Sequence, residues 1–102
     1  MAQAEVAVPV LKSRVTDLTQ TLSAAQVSQL ENKLAQLEQA KGSQIAILIV
    51  QTTEPEAIEQ FSIRVVEQWK LGRKKVDDGV LLLVAKNDRT VRIEVGYGLE
   101  GA

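Results

Sequence analysis

Apolar residues recur along this chain with two different periods, and the changes of period outline its elements. Val27, Leu30, Leu34 and Leu37 follow one another at intervals of three and four, which places them on one stripe of a helix, with Gln, Glu and Lys on the remaining surface. Ser23 and Gln26 stand ahead of the stripe in capping-box order, Leu22 and Val27 occupy the two staple positions, and Gly42 follows the last turn. The pattern predicts a helix over 24–41. A second stripe, Ile58, Phe61, Val65 and Trp69, follows Thr53-Glu54-Pro55-Glu56, a capping pattern with proline in the first turn, and is closed by Gly72. Residues 45–50 and 80–85 are unbroken apolar runs, the mark of strands covered on both faces, so the chain reads as strand, helix, strand with two parallel central strands.

After a tight turn at 87–89, Val91, Ile93 and Val95 alternate with Arg92 and Glu94. That alternation predicts an antiparallel strand near the sheet edge with one face wet. Residues 1–13 carry Pro9 and no sustained period and read as an arm; residues 14–17 form a short extended piece that opens a domain over 14–102. The fold class is α/β: one domain, an open mixed sheet with helices packed on its faces, a Rossmann-like sandwich.

The chain has 102 residues, 45% of them apolar, enough for one core. Its aromatic residues are Phe61, Trp69 and Tyr97, and its formal charge is −1, so neither an electrostatic footprint nor a stacking platform for nucleic acid is present. The absence of Cys and His removes disulfides, thiolate catalysis, Cys-ligated zinc and the commonest general base. Chemistry is left to carboxylates, hydroxyls, Lys, Arg or a hard metal ion. The run at 45–50 is far short of the ~20 apolar residues that span a bilayer.

Within those limits two loops carry the candidate chemistry. Asp77-Asp78-Gly79 precedes the run at 80–85, and Gly96-Tyr97-Gly98-Leu99-Glu100 follows the strand antiparallel to it, so topology brings both to one end of the sheet. Their oxygens are of the hard type that Ca²⁺ and Mg²⁺ require, and any ion held by so few carboxylates is bound weakly. The same residues also suit a solvated turn, with Asp bonded to local backbone and Gly at positive φ. Asp17 either caps a turn before the first helix or joins the acidic group. Lys70, Arg73, Lys74 and Lys75 suit the C-terminal dipole of the second helix; Arg73 and Lys74 also suit a phosphate ester held beside a metal.

Val15-x-Asp17, Leu22-Ser23, Trp69-Lys70-Leu71-Gly72, the stretch at 78–84 and Arg92-Ile93-x-x-Gly96-Tyr97-Gly98-Leu99-Glu100-Gly101 together resemble the TPM domain family. The resemblance runs from about Val15 to Gly101. It implies an α/β sandwich, an extracytoplasmic location behind a removed signal peptide, and at least one further helix after Ala102, in keeping with a sheet that has two helices for two faces. It also implies two functions. One is a module assisting assembly or repair of a membrane-associated complex. The other is a divalent-metal-dependent acid phosphatase with Asp77, Asp78, Glu100 and Asp17 toward the ion, Arg73 and Lys74 toward phosphate, and Gly79, Gly96, Tyr97 and Gly98 shaping the loops. Many family members carry Asn where Asp78 stands, which favours the turn role of that side chain. No catalytic residue, substrate, partner or oligomeric state follows from the residues.

Overall fold

A computed structural model describes residues 6–71 and 78–95. Its elements are β1 (Val15–Asp17), α1 (Ala24–Lys41), β2 (Ser43–Val50), α2 (Ile58–Trp69), β3 (Asp78–Ala85) and β4 (Thr90–Val95). The strands form one mixed sheet in the order β1-β2-β3-β4, with β1, β2 and β3 parallel and β4 antiparallel to β3. Ile45 pairs with Val80 and Val50 with Ala85, so the two unbroken apolar runs lie side by side as expected.

The first helix begins and ends where its caps place it. Ser23 accepts a hydrogen bond from the Gln26 N–H at 3.1 Å, Gln26 Oε1 accepts from the Ser23 N–H at 2.9 Å, and Gly42 closes the helix at φ 76. Leu34 is buried, whereas Leu37 of the same stripe is 43% exposed. The second helix departs from the expected start. Thr53 caps a turn instead of the helix: its hydroxyl donates to Glu56 O at 3.0 Å and its N–H to Asp88 Oδ2 at 3.1 Å. α2 therefore begins four residues further on than Glu54, behind Ala57, which has no side chain to cap it. It ends at Trp69, with Lys70 taking the left-handed conformation at φ 58, ahead of the Gly72 stop; Gly72 lies outside the described residues.

The two helices cover diagonally opposite quarters of the sheet. Ala46, Leu48, Val50, Leu81, Leu83 and Ala85 share one face and form a single buried cluster with Phe61, Val65, Val66 and Trp69 of α2 and with Leu71. Val15 and Ile49, on the other face, are buried together with Leu34 of α1 and outside that cluster. α2 packs on β3 and β4, while α1 packs on β1 and β2. The quarter left by α2 is closed by the arm: Val6, Val8 and Leu11 pack against its cluster. Trp69 Nε1 donates to Pro9 O at 2.8 Å and Arg64 Nη2 to Val6 O at 2.8 Å. Arg64 is held by Glu56 at 2.7 Å and sits 5.3 Å over the Phe61 ring, so a fixed guanidinium anchors the arm.

The quarter left by α1 stays open among the described residues, and β4 turns its apolar side toward it. Its apolar side, Val91 at 64%, Ile93 at 63% and Val95 at 36% exposure, faces solvent. Arg92 and Glu94 lie on the α2 side, where Glu94 Oε1 is 2.8 Å from Ser62 Oγ and 3.2 Å from Arg92 Nε. β4 does alternate, as its period requires; a polar partner on α2, and no helix on the other side among the described residues, decide which half is wet.

Candidate functional site

The pairing register sorts the candidate residues between the two ends of the sheet. Asp78 pairs with Ser43 and Gly79 with Gln44, so both belong to β3 and not to a turn before it. Gly79 is buried, and the glycine with positive φ among the described residues is Gly42. Val95, the last residue of β4, pairs with Val80. The chain therefore enters β3 and leaves β4 at one end of the sheet, which is the juxtaposition that the loops around Asp78 and Gly96 need. Arg73, Lys74, Asp77, Gly96, Tyr97, Gly98 and Glu100 lie outside the described residues.

Asp17 stands at the other end. It pairs with Ile49, which pairs with Val84, six positions along β3 from Asp78. At roughly 3.3 Å per residue the two positions are separated by about 20 Å along the strands, too far to share an ion. The acidic group thus loses Asp17, and the turn role is the one its contacts fill. Asp17 Oδ1 accepts from the Thr19 N–H at 2.9 Å and the Thr19 hydroxyl at 2.7 Å; Oδ2 accepts from the Leu22 N–H at 2.7 Å. Burial pushes its pKa up, but the donors from Leu22, Thr19 and Thr21 outweigh burial and hold the carboxyl below its ordinary value. These bonds fix the 18–22 turn that leads into the Ser23 cap.

A second carboxylate, Asp88, organises the same end and was not singled out by its sequence context. The Thr52 hydroxyl donates between its two oxygens at 2.8 and 2.9 Å, and the Thr53 N–H reaches Oδ2. Asp88 thereby ties the β3–β4 turn to the segment leaving β2. A cleft of about 420 Å³ opens here, lined by Thr53, Glu54, Pro55, Glu56, Ala57, Ile58, Asp88 and Thr90. Two of its three acids are engaged: Glu56 grips Arg64 and Asp88 holds the two threonines. Among the described residues no three His, Cys, Asp or Glu side chains converge as a metal-holding group. Asn-Asp-Arg at 87–89 looked like any tight turn; only the pairing of Ala85 with Val50 puts it beside Thr52.

A third feature is the cleft of about 300 Å³ at the β2 entrance, lined by Leu11, Lys12, Ser13, Arg14, Glu38, Gln44, Ile45, Ala46 and Leu71. Arg14 there is compensated by Glu38 at 3.1 Å and Glu31 at 4.0 Å. Glu31 also accepts the Val15 N–H at 2.6 Å, which pins the start of β1 to α1. No helix among the described residues is long and apolar enough to cross a membrane.

The family profile of the TPM domain matches residues 15–102. Among solved structures, the N-terminal domain of a protein from P. gingivalis is similar with a TM-score of 0.76 and 32% identity over 87% of this chain and 57% of that one. The N-terminal domain of the cg2496 protein from Corynebacterium glutamicum is similar with a TM-score of 0.73 and 13% identity over 94% and 63%. The chain thus spans roughly three fifths of these two structures, and the second likeness is one of fold alone. Among curated proteins none is significantly similar.

Proposed function

Because the chain belongs to the TPM domain family, we propose that it serves outside the cytoplasm as a non-catalytic TPM module, helping to assemble or repair a membrane-associated complex. In this reading the protein is exported behind a signal peptide that is then removed. The observation that supports it is the aliphatic quarter over β3 and β4, where Val91 and Ile93 are about two-thirds exposed beside half-buried Val80, Leu82 and Val84. Aliphatic side chains left uncovered among the described residues suit contact with another protein and do nothing for hydrolysis. The test is co-fractionation with membrane complexes from cells expressing the tagged protein. The wild-type chain is expected to migrate with a complex and the Ile93→Lys variant to be released from it; equal behaviour of the two removes the support for this reading.

The alternative, a Ca²⁺- or Mg²⁺-dependent phosphatase, is favoured by one specific observation. The register sets the entry to β3, at Asp78 and Gly79, beside the exit from β4 at Val95. In this reading Asp77, Asp78 and Glu100 supply hard oxygen donors, and Arg73 and Lys74 hold phosphate. Millimolar Ca²⁺ would shift the amide resonances of 77–79 and 96–100 before others, and p-nitrophenyl phosphate would be turned over until Asp77→Ala and Asp78→Ala are combined. Turnover lost in that double variant overturns the non-catalytic reading. No metal response and no turnover removes the phosphatase.

A further inference from the structure

We propose that β4 is a self-pairing edge, through which two copies of this chain join their Thr90–Val95 strands antiparallel about a two-fold axis at Ile93. β4 is the last strand of the sheet, and its backbone has a neighbour on the β3 side only among the described residues. An unpaired six-residue edge with exposed aliphatic side chains is a template for another strand, and proteins that must stay monomeric usually blunt such edges with inward charges, proline or bulges. β4 has no proline, and its two inward charges, Arg92 and Glu94, are of opposite sign in the order Val-Arg-Ile-Glu-Val from 91 to 95, so a second copy can meet them.

That order is self-complementary. An axis through Ile93 sets Arg92 opposite Glu94 of the second copy twice over, Val91 opposite Val95 twice, and Ile93 opposite itself. All charged pairs then fall on the α2 side and all aliphatic pairs on the open side, so the two sheets continue each other without turning over. Moving the axis to Arg92 or Glu94 sets like charges face to face; moving it between residues sets charged side chains against aliphatic ones. One register is therefore selected over its neighbours. A two-fold contact of this kind is isologous and closes at two copies.

The other way for two copies to meet, open face against open face, is obstructed. α1 stands on that same face, and its outward side carries Ser28, Asn32, Gln36 and Gln39, all exposed, a polar ridge that would have to press into the partner's aliphatic floor. Edge pairing leaves that floor free. It lays the two open quarters next to each other between two α1 ridges, so the proposal does not compete with partner docking.

The experiment is sedimentation of the purified chain over a concentration series, paired with amide hydrogen exchange. The expected result is a concentration-dependent dimer in which amides of 90–95 gain protection. Arg92→Glu and Glu94→Arg should each be monomeric, because each sets like charges opposite one another at both crossings. Mixing the two variants in equal amounts should restore a mixed dimer, since position 92 of either copy then faces position 94 of the other with opposite charge. Ile93→Lys leaves the Ser62 contact intact and should also be monomeric, which keeps the test decisive if Glu94→Arg fails to fold. A monomer at every concentration overturns the proposal. So does a dimer that survives the charge variants, or one that leaves the β4 amides exchanging as in the monomer.

Discussion

Glu94 Oε1 lies 2.8 Å from the hydroxyl of Ser62, a residue of α2 with no exposed surface. This contact turns the polar side of β4 toward the helix. A buried hydroxyl and a largely covered carboxylate satisfy one another there, and the aliphatic side is left to face outward. Replacing Ser62 by Ala is expected to cost about 1 kcal/mol, the usual net value of a buried hydrogen bond, with urea denaturation as the measurement.

Neighbouring leucines of β3 should separate in the same assay, because they point to opposite faces. Leu83 has no exposed surface and lies in the α2 cluster, so Leu83→Ala is expected to cost about 2–5 kcal/mol. Leu82 is half-buried over the open quarter, and its truncation should cost distinctly less. Equal losses would mean that the second face is covered as fully as the first.

Asp17 gives a pH dependence with a definite sign. Its folded pKa lies below the ordinary 3.8, so the stability it contributes is present above that value and is lost as pH falls through the lower folded pKa. Asp17→Asn should therefore be less stable than wild type at neutral pH, and the gap should close below about pH 3.8. Thermal unfolding at a series of pH values measures it. A gap that widens toward acid would contradict the donor arrangement around Asp17.

Lys70 ends α2 in a left-handed conformation that costs an ordinary residue roughly 1–2 kcal/mol. Lys70→Gly should raise stability by up to about 1 kcal/mol, since glycine reaches this geometry without a Cβ clash. Thermal denaturation would show it.

Particular residues show how far the sequence carries. Ser23, Gln26 and Gly42 bound α1 correctly because capping is local chemistry, complete within one turn. The runs at 45–50 and 80–85 were legible as paired parallel strands because central strands dispense with polar alternation, although the expected cover on both faces is incomplete for β3, whose Val80, Leu82 and Val84 are only half-buried. Thr53-Glu54-Pro55-Glu56 misled because Thr53 is drawn away by Asp88, a partner 35 residues distant. Alternation in β4 announced a strand but not its inside, which depends on where α1 and α2 come to rest. Topology made legible that the chain enters β3 and leaves β4 at one end of the sheet, at Asp78 and Val95, but not that Asp17 stands at the other end, which is a matter of register and not of composition.

The arm carries a practical lesson about where this domain begins. Family resemblance starts at Val15, yet Val6, Val8 and Leu11 seal the cluster beneath Trp69 and Phe61, and the indole spends its only donor on Pro9. An expression boundary drawn by homology would therefore leave an open seam in the interior. Tryptophan emission would report it directly, shifting to longer wavelength as water reaches a ring that the intact chain keeps 7% exposed. Val6, Val8 and Leu11, though only partly buried and outside every strand, help to close the core as physically as the helices do.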